Sequence, residues 1–113
     1  MTHKRYGIID GCTTQLVSPD TYRRFFMERD NRILSLYPHG GMIHLCGAAE
    51  QHIPAFRAMP ALKAVQLNDR AAEAFEQYYE GLRDDQVIYF NTLPDRGAEE
   101  ILHYTGGRRV VIV

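Results

Sequence analysis

Apolar positions along the chain follow two alternating rhythms. Short runs in which most or every second residue is apolar fall at 6–10, 40–47, 62–68, 86–91 and 109–113. Each is of strand length, which predicts five strands. Between them, apolar residues recur three and four apart, which predicts helices. The first helix starts at Ser18-Pro19-Asp20: a capping hydroxyl, a proline suited to the first turn and an acid at the positive end of the dipole. Tyr22, Phe25, Phe26, Ile33 and Leu34 form its apolar stripe, with Arg23, Arg24, Glu28 and Asp30 on the other sides. It ends before Pro38, because the residue preceding a proline disfavours helical backbone. A second helix is expected over about 48–59, distorted near its start by Pro54 and ended by Pro60. A third, over 70–82, packs through Ala71, Ala72, Phe75, Tyr78, Tyr79 and Leu82, with Asn68 or Asp69 as its cap. A fourth, over 95–104, stops at Gly106-Gly107. Residues 12–17 read as loop or as an extension of the first strand.

Within 40–47, Ile43 and Leu45 point to one face of the strand, and His44 and Cys46 to the other. In 62–68, Val65 and Leu67 share one face, and Gln66 and Asn68 the other. Five strands alternating with four helices predict an α/β fold, a parallel sheet with right-handed crossovers. Functional groups in such sheets gather beyond the carboxyl ends of the strands. Asp10, His44, Cys46, Asn68 and Asn91 all fall there. A complete eight-stranded βα barrel takes roughly 250 residues. A single domain of 113 residues is about half of that by length and strand count, so it either closes as a small open sheet or is a partial (half) TIM barrel. Its edge strands are expected to hide against a second copy, as a homodimer, or against a chain that completes the barrel.

Composition narrows the partners. With 45% hydrophobic and 24% charged residues the balance is that of an ordinary globular protein. A net charge of −1 gives no electrostatic case for nucleic acid or an anionic membrane, and Arg23-Arg24 and Arg108-Arg109 are too short to form a basic patch. No apolar run approaches the ~18–20 residues that span a bilayer. The basic start, Met1 to Arg5, is not followed by the apolar segment of a secretion signal. Two cysteines in that setting read as reduced thiols or metal ligands, and the expected location is cytoplasmic.

His44 and Cys46 carry the candidate chemistry. Imidazole and thiolate are favoured zinc ligands, and a catalytic zinc takes three protein ligands while keeping a position open. Cys12, the other thiol, is the candidate third ligand, and Asp10 is the nearest carboxylate by topology. The alternative is a buried cysteine acting as a small apolar residue beside a hydrogen-bonded histidine. Asp10 begins a turn dipeptide as well as ending a strand. Asn68 and Asn91 either cap the helices that follow or touch a ligand. His39 and His103 read as surface residues. His52 reads as solvated, with the site side of the second helix as the alternative. The sequence has no glycine-rich phosphate loop, nucleophile–His–acid arrangement or dinucleotide fingerprint.

Ser18-Pro19-Asp20-Thr21-Tyr22-Arg23-Arg24-Phe25-Phe26, followed one helix later by Gly41-Met42-Ile43-His44-Leu45-Cys46-Gly47, resembles the C-terminal half of the uroporphyrinogen decarboxylase superfamily. That superfamily includes the cobalamin-dependent methyltransferases. The likeness runs from about Asp10 to the end and takes in Leu62-Lys63-Ala64-Val65-Gln66-Leu67. It implies a TIM-barrel lineage. In the methyltransferase branch, the histidine and cysteine of the His-x-Cys motif bind zinc, which activates a thiol as methyl acceptor; carried over, these are His44 and Cys46. That branch's third zinc ligand, a cysteine after the last barrel strand, would fall beyond Val113, and the N-terminal half of the barrel is not represented. The resemblance therefore implies methyl transfer to a thiol from a corrinoid on a partner protein, with another chain completing the barrel. Asp10, Asn68 and Asn91 are the candidate catalytic residues; His44, Cys46 and Cys12 are the candidate zinc ligands. One alternative is decarboxylation of a tetrapyrrole, the lyase step of porphyrin biosynthesis, which gives a thiol–imidazole pair no role. Another is a non-catalytic binding or assembly subunit that keeps the fold.

Overall fold

Each apolar run becomes a strand: β1 (Gly7–Asp10), β2 (Gly41–Leu45), β3 (Leu62–Leu67), β4 (Val87–Phe90) and β5 (Val110–Ile112). The structure is a computed structural model and describes residues 7–113, apart from the side chains of Cys12 and Thr13; the expected first strand residue, Tyr6, lies outside that range. The strands pair in sequence order, β1-β2-β3-β4-β5, all of them parallel. The fold is α/β with a parallel sheet, as the alternation predicts.

Sequential order has a consequence for where the core can lie. Right-handed crossovers that always step in one direction put every connecting helix on the same side of the sheet. Burial follows that rule. Ile43, Leu45, Val65, Leu67, Ile88 and Phe90 point into the helix layer and are at most 1% exposed. They form one core with Tyr22, Leu34, Phe56, Phe75, Tyr78 and Ile101 from the helices. The strand residues of opposite parity, Ile8, Met42, Ala64, Val87, Tyr89 and Val111, stand in register with one another on the other face, and none belongs to that core.

The helices are shorter than their sequence patterns. The expected first helix is two, α1 (Pro19–Phe25) and α2 (Met27–Leu34), meeting at Phe26, whose φ of −124° is not helical. Ser18 caps α1 as expected, its Oγ accepting the Thr21 N–H at 3.1 Å. The break turns α2 relative to α1, so one stripe cannot stay on the core. Tyr22 and Leu34 are buried, but Phe25 and Ile33 are 64% and 38% exposed, against expectation. In place of a helix over 48–59 there is a 3-10 turn, Glu50–His52, followed by α3 (Ile53–Arg57). Pro54 sits in the first turn of α3, where its missing N–H leaves no bond unmade. The expected third helix divides at Ala74 into α4 (Asp69–Glu73) and α5 (Phe75–Gly81), and Ala71, Ala72, Phe75, Tyr78 and Leu82 are buried as read. The last, α6 (Ala98–Thr105), ends at Gly106 in the left-handed conformation, φ 67°. Residues Cys12–Leu16 form a 3-10 turn rather than open loop.

At the amino ends of the strands, side chains add hydrogen bonds to the carbonyls of the chain that runs from α3 into β3. Gln86 donates to Phe56 O at 3.0 Å and Leu62 O at 2.9 Å, and Arg83 donates to Met59 O and Leu62 O at 3.1 Å each. This rim is built for rigidity. Among the described residues no helix is long and apolar enough to cross a membrane.

Candidate functional site

The parallel register aligns Asp10 with His44, His44 with Gln66, and Gln66 with Tyr89. Alternation then sets these four side chains in one row across the face that carries no helices, at the carboxyl ends of the strands. His44 Nδ1 lies 2.9 Å from Gln66 Oε1. Gln66 Nε2 in turn donates to Asn91 Oδ1 at 3.4 Å. An amide oxygen can only accept, so in this contact Nδ1 is the donor and Nε2 is the nitrogen turned away from Gln66. Nε2 makes no hydrogen bond to another described residue. His44, Gln66, Tyr89 and Asn91 are half-buried, and Asp10 is exposed.

Cys46 follows directly beyond β2 as a half-buried free thiol. Asn68 follows directly beyond β3, its N–H donating to Leu45 O at 2.8 Å. It occupies the N-cap position of α4 without a side-chain capping bond, and its Oδ1 is buried with no partner among the described residues. Asn91 does not cap a helix either, because its side chain is engaged by Gln66. On the helical segments, Glu50 Oε1 and the Tyr78 hydroxyl are also buried without partners among the described residues. Burial first, and then the Glu50 charge, push the Tyr78 phenol far above the usual tyrosine range, so it stays neutral.

Other expected residues lie elsewhere. His52, read as solvated, is fully buried in the helix layer. Its Nε2 lies 2.7 Å from Thr14 O and its ring centroid 4.9 Å from that of Tyr22. The 3-10 turn tips it inward, away from the polar row. His39 and His103 are exposed, as read. The side chain of Cys12 lies outside the described residues.

The donor set can be tested against zinc. His44 offers a ring nitrogen with its lone pair available and Cys46 a sulfur, the two donor types zinc prefers. Among the described residues no group of three or more His, Cys, Asp or Glu side chains is assembled to hold a metal. Two donors of the right type are present, and a third would have to come from outside the described side chains. A cavity of about 390 Å³ lies by β1, walled by Ile9, Tyr22, Phe26 and Ile33 with Asp10 and Asp30 among its polar groups; of the candidate site residues it takes in Asp10 but neither His44 nor Cys46.

Gln66 is the site residue that the motif reading passes over. Its signal was present: Ile43-His44 and Val65-Gln66 occupy equivalent places in adjacent runs, so pairing them in register puts Gln66 beside His44. No family model, no curated protein and no solved structure matches this chain.

Proposed function

We propose that the chain is part of a βα barrel of the uroporphyrinogen decarboxylase superfamily, of the zinc-dependent corrinoid methyltransferase type. The carrying observation is His44, whose Nε2 lone pair is left available at the carboxyl rim, two residues before the free thiol of Cys46. In support of the barrel, strand order is sequential and the core lies on one face only, which leaves the polar row on what would be the barrel interior. His44 and Cys46 would hold the metal, and Cys12 or a residue of a completing chain would add the third donor. Zinc bound there supplies a lowered thiol pKa, keeping an acceptor thiol as thiolate at neutral pH. The chain's own residues do the remaining work. Gln66 holds the His44 ring, and Asn91 holds Gln66. Met42, Val87 and Tyr89 line the same face and shelter a substrate from water. Asp10 and Asn68 sit where they can hydrogen-bond its polar groups. The methyl group comes from a corrinoid carried by a partner protein, and a second copy or a completing chain covers the sheet edges. A working thiolate suits the reducing cytoplasm.

Metal analysis of protein purified without air tests this reading. Near-stoichiometric zinc is expected, and loss of that zinc in His44→Ala. Reduced protein that carries no zinc and takes up none overturns it.

A further inference from the structure

We infer that Gln66, locked by Asn91, is a positioning residue that decides which ring nitrogen of His44 faces the open side of the sheet. The inference rests on the reading of His44 as a working residue, but its evidence is separate. An amide side chain presents an oxygen at one end and a nitrogen at the other. Asn91 Oδ1 can only accept, so at 3.4 Å it takes the Gln66 Nε2 end and turns Oε1 toward His44. With the Asn91 amide oriented as it is, a flipped Gln66 would set two carbonyl oxygens against each other. Oε1, at 2.9 Å, then requires a proton on Nδ1. A neutral imidazole free in water can carry its proton on either nitrogen, and the bond made by one nitrogen settles the state of the other. Here the choice is made two side chains away, directly after β4, and transmitted through β3 to β2. The parallel register aligns His44 with Gln66, and the Asn91 N–H donates to Leu67 O at 3.1 Å, which fixes the backbone under all three residues. The outcome is a lone pair on Nε2, free to take a metal or a proton.

Ring-nitrogen NMR on metal-free, reduced protein tests this, at a pH where imidazole is neutral and with His44 assigned through His44→Ala. The expected wild-type pattern is a protonated Nδ1 and a lone-pair Nε2. Gln66→Leu is expected to release the ring to a mixture or to the Nε2–H form, and Gln66→Glu, which keeps an acceptor, to retain the wild-type pattern. Asn91→Ala, which removes only the lock, is expected to broaden or mix the tautomers and serves if Gln66→Leu does not fold. Zinc titration should then show about 10–100-fold weaker binding for Gln66→Leu and recovery in Gln66→Glu. A wild-type Nε2–H form, or an unchanged tautomer in both Gln66→Leu and Asn91→Ala, overturns the inference. The expected tautomers in protein that binds no zinc support the role of Gln66 and sink the metal reading instead.

Discussion

Tyr22 buries its whole ring, and its hydroxyl donates to Asp30 Oδ2 at 2.8 Å. Burial first, and then the Asp30 charge and the hydrogen bond to it, push the phenol far above its usual range, so the proton stays on the tyrosine. Tyr22→Phe should cost about 1–3 kcal/mol, because it withdraws a donor from a nearly buried carboxylate that, among the described residues, keeps only the Arg29 side chain, at 3.5 Å. Denaturant titration reads this directly, and an unchanged midpoint would show that Asp30 finds another partner. Gly40 is a different kind of requirement. Its φ is 71°, and a Cβ there would collide with the Ala61 carbonyl oxygen. Gly40→Ala should therefore lose about 1–3 kcal/mol in the same titration, without changing any contact of His44. Sequence pattern found Tyr22 as core but put Asp30 outside, because helical spacing carries no record of a hydroxyl that needs an acceptor. It missed the burial of His52 for the same reason: the carbonyl of Thr14 that holds it is distant in sequence. His44 was legible because its chemistry is local to one strand, whereas Gln66 acquires meaning only through pairing.

At the scale of elements, existence and order were legible and continuity was not. Five strands and the helical segments between them follow from periodicity, yet Phe26 and Ala74 each break a helix that the apolar spacing alone would carry through. What fixes the pieces is local chemistry. Ser18→Ala should cost about 1 kcal/mol by leaving the Thr21 N–H uncapped. The last βα connection is held by Arg96, which bridges Glu76 on α5 and Glu100 on α6. The hydrogen bond from Arg96 holds the Glu76 carboxyl below its ordinary 4.5. Its folded pKa is thus lower than its unfolded one, so the contribution is fully present above the ordinary value. It is lost as pH falls from there through the lowered one. Melting temperature followed from neutral pH downward should fall over that window in the wild type, and Glu76→Gln should flatten that part of the profile. Equal acid slopes in both proteins would show that Arg96 does not hold the connection in solution.

The whole molecule leaves one sheet face without a helix layer and two strand edges unpaired among the described residues; in the middle of that face Met42 and Ala64 are 6% and 1% exposed, while its flanks are open. On that face and at its ends Ile8, Val111 and Val113 are 63%, 40% and 57% exposed. Among the described residues β1 pairs only with β2, and β5 only with β4. An apolar run cannot announce this, because a strand buried on both faces and one buried on a single face both read as continuous hydrophobic sequence. Topology decides it: order 1-2-3-4-5 keeps all helices on one side, whereas a doubly wound order would have covered both. Unpaired parallel edges beside exposed apolar side chains favour pairing with another chain. A two-fold axis running along the strands would bring β5 of one copy beside β1 of the other in parallel. It would do so at both seams at once, closing the polar row inside. Light scattering should accordingly give a mass of at least twice 13.0 kDa at micromolar concentration. Lysine is strongly hydrated and blunts strand edges, so Ile8→Lys and Val111→Lys should each shift the protein toward the single-chain mass. Neither residue contributes to the one-sided core, so both variants should keep the wild-type helix signal. A wild-type protein that runs as a clean monomer would remove the self-pairing arrangement and leave a completing chain of different sequence as the cover for this face.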